Sequence, residues 1–165
     1  MGLLRIVCLA VGLIASTPAL AQPTPPASLD FLAGAWTLHD AAGAEIGASR
    51  IEVQAPGAML FEQRTIGASA AQPIWFENSE SAGGWTQLFL AASGQIRAFP
   101  TQSAPGVWPI VMGADATLRD GARVRFRLTM SRASDNETRR VLEMSRDQGA
   151  AWTTVFDYTY RRAED

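Results

Sequence analysis

The chain has 165 residues, 47% of them hydrophobic and 18% charged, with 14 basic against 16 acidic side chains and a formal net charge of −2. That balance fits a folded domain and makes nucleic acid and anionic membranes poor candidate partners. Every basic residue is arginine, which together with the frequent alanine reads as the codon bias of a GC-rich bacterial genome and not as function.

Residues 1–21 have the layout of a secretion signal: Arg5 gives a positive start, Ile6 to Ile14 an apolar core, and Ala19-Leu20-Ala21 a small-x-small cleavage site. The apolar core is far shorter than the roughly 20 residues needed to span a bilayer, so the mature chain is expected to carry no membrane span. Cleavage after Ala21 predicts a periplasmic or secreted protein of 144 residues with no cysteine, because Cys8 leaves with the signal. Such a chain must rely on a core instead of disulfides. A domain of this size supports one by burying roughly 68–70% of its unfolded surface.

Residues 22–28 form a proline-rich leader, and the folded domain is expected over 29–162. Ser28 is placed to cap a short helix over Leu29 to Leu32 that Gly34 ends. From there the apolar period becomes two, with strand candidates at 35–40, 45–54, 58–66, 73–78, 85–91, 95–99, 108–113, 115–119, 123–130, 138–146 and 152–160. The clearest is Arg123 to Met130, where Val124, Phe126, Leu128 and Met130 share one face. In the last candidate, Trp152, Thr154, Phe156, Tyr158 and Tyr160 are expected to share one face. Turn residues separate the segments at Pro56-Gly57, Ala82-Gly83-Gly84, Ser93-Gly94, Asp120-Gly121, Asp135-Asn136 and Asp147-Gln148-Gly149. Short links without helical crossovers predict an all-β fold. The expectation is a single antiparallel up-and-down β-barrel of about ten strands with a short N-terminal helix, and a two-sheet sandwich is the alternative.

The Gly34-x-Trp36 pair at the first strand is similar to the start of lipocalin-like (calycin-type) barrels. That resemblance implies that Trp36 plugs one barrel end and that an arginine from the end of the last strand, Arg161 or Arg162, covers it. The stretch from Asp30 to Arg162 also resembles a family of secreted bacterial lipocalin-like domains of unknown function. Its front motif is supplied by Phe31-Leu32-Ala33-Gly34-Ala35-Trp36 and its back motif by Ser145-x-Asp147-x-Gly149-x-x-Trp152. The back motif is similar to the Asp-box of sialidase-type propellers, which implies a hairpin turn held by Ser145 and Asp147 over Trp152. One copy cannot build a propeller.

The inventory for catalysis is thin. His39 is the only histidine, so a three-histidine zinc site is impossible and any Ser-His-Asp triad would have to use it. Neither a Gly-x-Ser-x-Gly elbow nor a phosphate loop, dinucleotide fingerprint or EF-hand is present, and no catalytic residue, metal or cofactor is expected. Glu62, Glu77, Glu80, Glu143 and Asp157 read as solvated faces. Arg123, Arg125, Arg127, Arg139 and Arg140 read as an exterior ladder balanced by Glu143, Asp157 and Asp120.

The aromatics remain. Most of the 5 tryptophans and 7 phenylalanines are expected in the core, while Trp75, Phe76, Trp85 and Trp108 are the candidates for a ligand pocket. The sequence therefore predicts a non-catalytic barrel that binds a small apolar or amphipathic ligand. The alternative is a packed barrel that meets a protein partner through its surface; an enzyme would need His39 beside a carboxylate in a cleft.

Overall fold

The computed structural model describes residues 28–79, 83–90, 94–104 and 106–164. The expected signal, leader residues 22–27, Glu80, Ala82 and Ser93 lie outside the described residues.

Among the described residues ten antiparallel strands follow one another: β1 (Gly34–His39), β2 (Glu45–Ala55), β3 (Met59–Ile66), β4 (Gln72–Ser79), β5 (Gly84–Leu90), β6 (Ile96–Pro100), β7 (Ile110–Thr117), β8 (Arg123–Ser134), β9 (Glu137–Ser145) and β10 (Thr153–Arg162). Each pairs with its chain neighbour except across β6 and β7, and β1 also pairs with β10 from Trp36↔Arg162 to His39↔Thr159. The result is an up-and-down barrel, all but closed. At the β6–β7 seam a single bridge joins Thr101 to Met112, and the Gln102 N–H donates to the Val111 carbonyl at 2.6 Å.

Alternation decides which side chains enter the barrel. Val124, Phe126, Leu128 and Met130 of β8 are buried, and Arg123 and Arg125, in the alternate phase, are exposed. On the outside Arg127 meets Glu143 at 2.9 Å, Arg125 meets Asp115 at 3.1 Å, and Arg139 pairs with Asp157. The expected ladder thus exists with one exception. Arg140 is 1% exposed and points inward, because it shares the phase of Thr138, Leu142 and Met144.

Three expectations need correction. The N-terminal helix is one 3₁₀ turn, Asp30–Leu32, since Ala33 is already extended at ψ 135° and Gly34 opens β1. The candidates at 108–113 and 115–119 are one strand, β7, which runs through Gly113 and Ala114 without a turn. A bulge between Thr154 and Phe156 in β10 reverses the phase, so Thr154 opposes outward Glu143 while Phe156 opposes Leu142. Trp152, just before β10, lies on the outer face, with the Arg127 guanidinium 4.1 Å from its ring centre.

One end of the barrel is sealed. Trp36 is 1% exposed, donates its indole N–H to the Leu32 carbonyl at 2.7 Å, and carries the Arg162 guanidinium 4.4 Å above its ring. Arg162 also donates to the Ala33 carbonyl at 2.8 Å and the Phe31 carbonyl at 2.7 Å, which ties the last strand to the first turn. Arg161 faces outward to Glu137 at 3.2 Å. Asp30 completes the seal by accepting the Gly57 N–H from the β2–β3 turn at 2.9 Å.

Gly34 is required at this end for two reasons: its φ is +130°, and a Cβ there would stand 2.6 Å from an Arg162 terminal nitrogen. Gly34→Ala should lower stability by about 1–3 kcal/mol, read as an earlier urea midpoint at unchanged slope. An unchanged midpoint would show that the Arg162 cover is not constrained as described.

Candidate functional site

Inside the barrel, β3 places two charged residues in the phase of its apolar ones: Leu60, Glu62, Arg64 and Ile66 all face the lumen. β9 adds Arg140, β10 adds Tyr160 and β2 adds Ser49. Glu62, expected on a solvated face, is instead fully buried, because it shares the inward phase of Leu60 and Ile66, and it uses both oxygens. One accepts from Ser49 Oγ at 2.9 Å and from the Tyr160 hydroxyl at 3.1 Å, and the other is ion-paired with Arg140. The Arg140 guanidinium lies 4.2 Å from the Tyr160 ring centre and 5.2 Å from that of Phe76.

Burial by itself would push the Glu62 carboxyl up. The charges of Arg140 and Arg64 and the hydrogen bonds from Arg140 and Ser49 outweigh it and hold the group below the usual carboxylate range. For Arg140 burial works downward, and Glu62 overrides it and raises the value. Tyr160 is raised, chiefly by burial. All three therefore keep their ordinary neutral-pH forms.

Arg64 differs from Arg140. It is 7% exposed and donates only to neutral partners, Gln72 Oε1 at 2.6 Å and the Tyr160 hydroxyl at 3.3 Å. Among the described residues its Nε has no hydrogen-bond partner, and neither have Nε and Nη2 of Arg140. Above Arg64, Phe156 and Tyr158 stack with centroids 4.5 Å apart and planes 10° from parallel, and the guanidinium stands 5.4 Å from the Phe156 ring centre.

Arg64 borders a cavity of about 380 Å³ at the barrel end opposite Trp36. Phe89, Phe99, Phe126, Leu128, Leu142 and Phe156 supply most of its apolar wall, and Gln72, Gln87, Arg64 and Arg97 supply the polar part. Arg97 enters from β6 at the open seam, with its guanidinium 5.2 Å from the Phe126 ring centre, and makes no ion pair among the described residues.

The residues expected to form a pocket lie elsewhere. Phe76 and Trp85 are in the core, Trp75 sits on the outer face against Phe61 at 5.2 Å, and Trp108 packs edge-on against Phe31 at the sealed end, 5.8 Å away. None of the four borders the cavity. His39 faces outward, where its ring nitrogens contact Thr37 Oγ1 at 3.1 Å and the Gly43 carbonyl at 3.2 Å, with no carboxylate partner among the described residues. The back motif is a hydrogen-bonded turn: Ser145 Oγ accepts from the Gly149 N–H at 2.7 Å, Asp147 accepts from the Ala151 N–H at 2.9 Å, and Gln148 adopts φ 61°. No group of three or more potential metal ligands occurs among the described residues. No helix of the described residues is long and apolar enough to cross a membrane.

Neither a protein-family model nor a curated protein matches this chain.

The missed residues had a readable sign. Glu62, Arg64 and Arg140 each interrupt an apolar alternation in phase, where a charge has no solvated exit. Glu62→Gln should cost about 3–5 kcal/mol at neutral pH, because it leaves two buried guanidinium groups without their carboxylate. The depressed Glu62 value means the unfolded state binds more protons than the native one. Its stabilisation is therefore complete above the unfolded value of about 4.3 and lost as pH falls through the lower folded value. Acid titration of the variant should show a shallower loss of stability than the parent, whereas parallel curves would contradict the assignment.

Proposed function

We propose that this chain is an exported, lipocalin-like barrel that binds a small apolar or amphipathic molecule in its lumen and performs no chemistry on it. The observation that carries this reading is the aromatic-walled cavity of about 380 Å³ at the end away from Trp36. It falls at the lower end of the roughly 300–1,000 Å³ usual for small-molecule sites, and a few convergent polar groups on an apolar wall are the usual composition of such a site. Export is supported by the signal-like pattern of residues 1–21.

A second reading, contact with a protein partner through the outer face, is favoured by one specific feature. Phe61, Trp75 and Leu88 are cross-strand neighbours on the outside of β3 to β5, and Leu90 (39% exposed) opposes Ile96 (70% exposed) beside them.

Native mass spectrometry of the full-length chain, expressed with its own leader and recovered from the periplasm, separates the two. The binding reading expects the processed protein to carry a one-to-one small-molecule adduct. It also expects Val155→Trp, which bulks up a half-exposed residue at the cavity rim, to remove the adduct while leaving the thermal midpoint within a few degrees. A bare chain that also fails to take up added decanol would overturn it.

A further inference from the structure

We propose that the lumen selects anionic amphiphiles, with Arg64 taking a carboxylate-sized head while the aromatic wall takes the apolar tail. This rests on the luminal binding reading above and adds the charge of the ligand.

The charges of the lumen do not balance. Three guanidinium groups, on Arg64, Arg97 and Arg140, face one carboxylate, Glu62. That carboxylate is already saturated by Arg140, Ser49 and Tyr160, so it offers nothing further to Arg64. Arg64, 7% exposed, is bonded only to neutral oxygens and keeps Nε unpartnered. The outer face behaves differently, since Arg125, Arg127, Arg139 and Arg161 each meet a carboxylate there. Arg64 shares the Glu62 charge with Arg140 but makes no ion pair of its own among the described residues, and an entering anion would add charge-assisted hydrogen bonds there.

Arg64 and Arg97 border the same cavity, and Gln72 and Gln87 can donate beside them through their side-chain amides. The remaining wall is aromatic and aliphatic, which suits a tail and not a second charge. A cationic head would meet two like charges; a neutral hydroxyl would gain no ion pair with Arg64 or Arg97.

The test is a calorimetric titration of the full mature chain at pH 7 with three probes of equal tail length: decanoate, decanol and decyltrimethylammonium. Decanoate should bind at least tenfold more tightly than decanol, and decyltrimethylammonium more weakly than either. Arg64→Gln should bring decanoate to within threefold of decanol. Arg97→Gln, on an edge strand at the cavity rim, should reduce the decanoate preference about threefold and decides the matter should Arg64→Gln not fold. Equal binding of decanoate and decanol by the parent overturns the anionic selection and leaves luminal binding standing. Selectivity that survives both substitutions overturns the role of these arginines, and a parent that binds none of the probes overturns both readings.

Discussion

The ion pair between Glu62 and Arg140 is the constraint around which the rest of the lumen is arranged. A strand of a closed barrel sends every second side chain inward, and Glu62 and Arg140 occupy inward positions on strands far apart in sequence. Two desolvated charges recover their hydration only through close contact and full use of the remaining lone pairs and donors. Ser49 and Tyr160 are buried for that purpose, and the Phe76 and Tyr160 rings face the guanidinium. The carboxylate is thereby used up. Arg64, two residues along β3, is left to neutral partners, and the cavity begins where it ends.

The two ends of the barrel divide the work. At one end Trp36, Arg162 and Asp30 join the first turn, the last strand and the β2–β3 turn into a seal. At the other the wall opens between aromatic residues, beside a β6–β7 seam held by one bridge. Closure by β1 and β10 keeps the barrel whole, so the seam costs only part of one ladder. Arg97 lies on the short edge strand at that seam, where a charged side chain pointing inward also discourages pairing with another chain.

Much of the architecture was legible because a barrel writes its alternation into the chain. β8 is readable residue by residue, and the Gly34-x-Trp36 pair marks the end that Arg162 covers. The 3₁₀ turn and the β10 bulge were not legible. One is a matter of a single residue entering the extended region at Ala33, and the other of an extra residue at Val155 that no local pattern announces. The site was hidden for a different reason. Arg139 and Arg140 are consecutive, so a regular strand turns one of them inward, and with polar Thr138 sharing the phase of Arg140 no local pattern says which. Only partners from β3 and β10, 78 and 20 residues away, make an inward arginine tolerable. The large tryptophans attracted attention to a pocket, whereas the cavity wall is built of phenylalanines spread over four strands.

The central claim is that the lumen carries more positive charge than it neutralises. The most direct measurement is the ¹³C chemical shift of carboxyl-labelled decanoate bound to the mature chain, followed as pH is lowered. The account predicts that the bound carboxylate stays ionised to a pH clearly below that at which free decanoate protonates, since Arg64 and Arg97 favour its charged form. A bound carboxyl that protonates at the same pH as in water, or at a higher one, would contradict it.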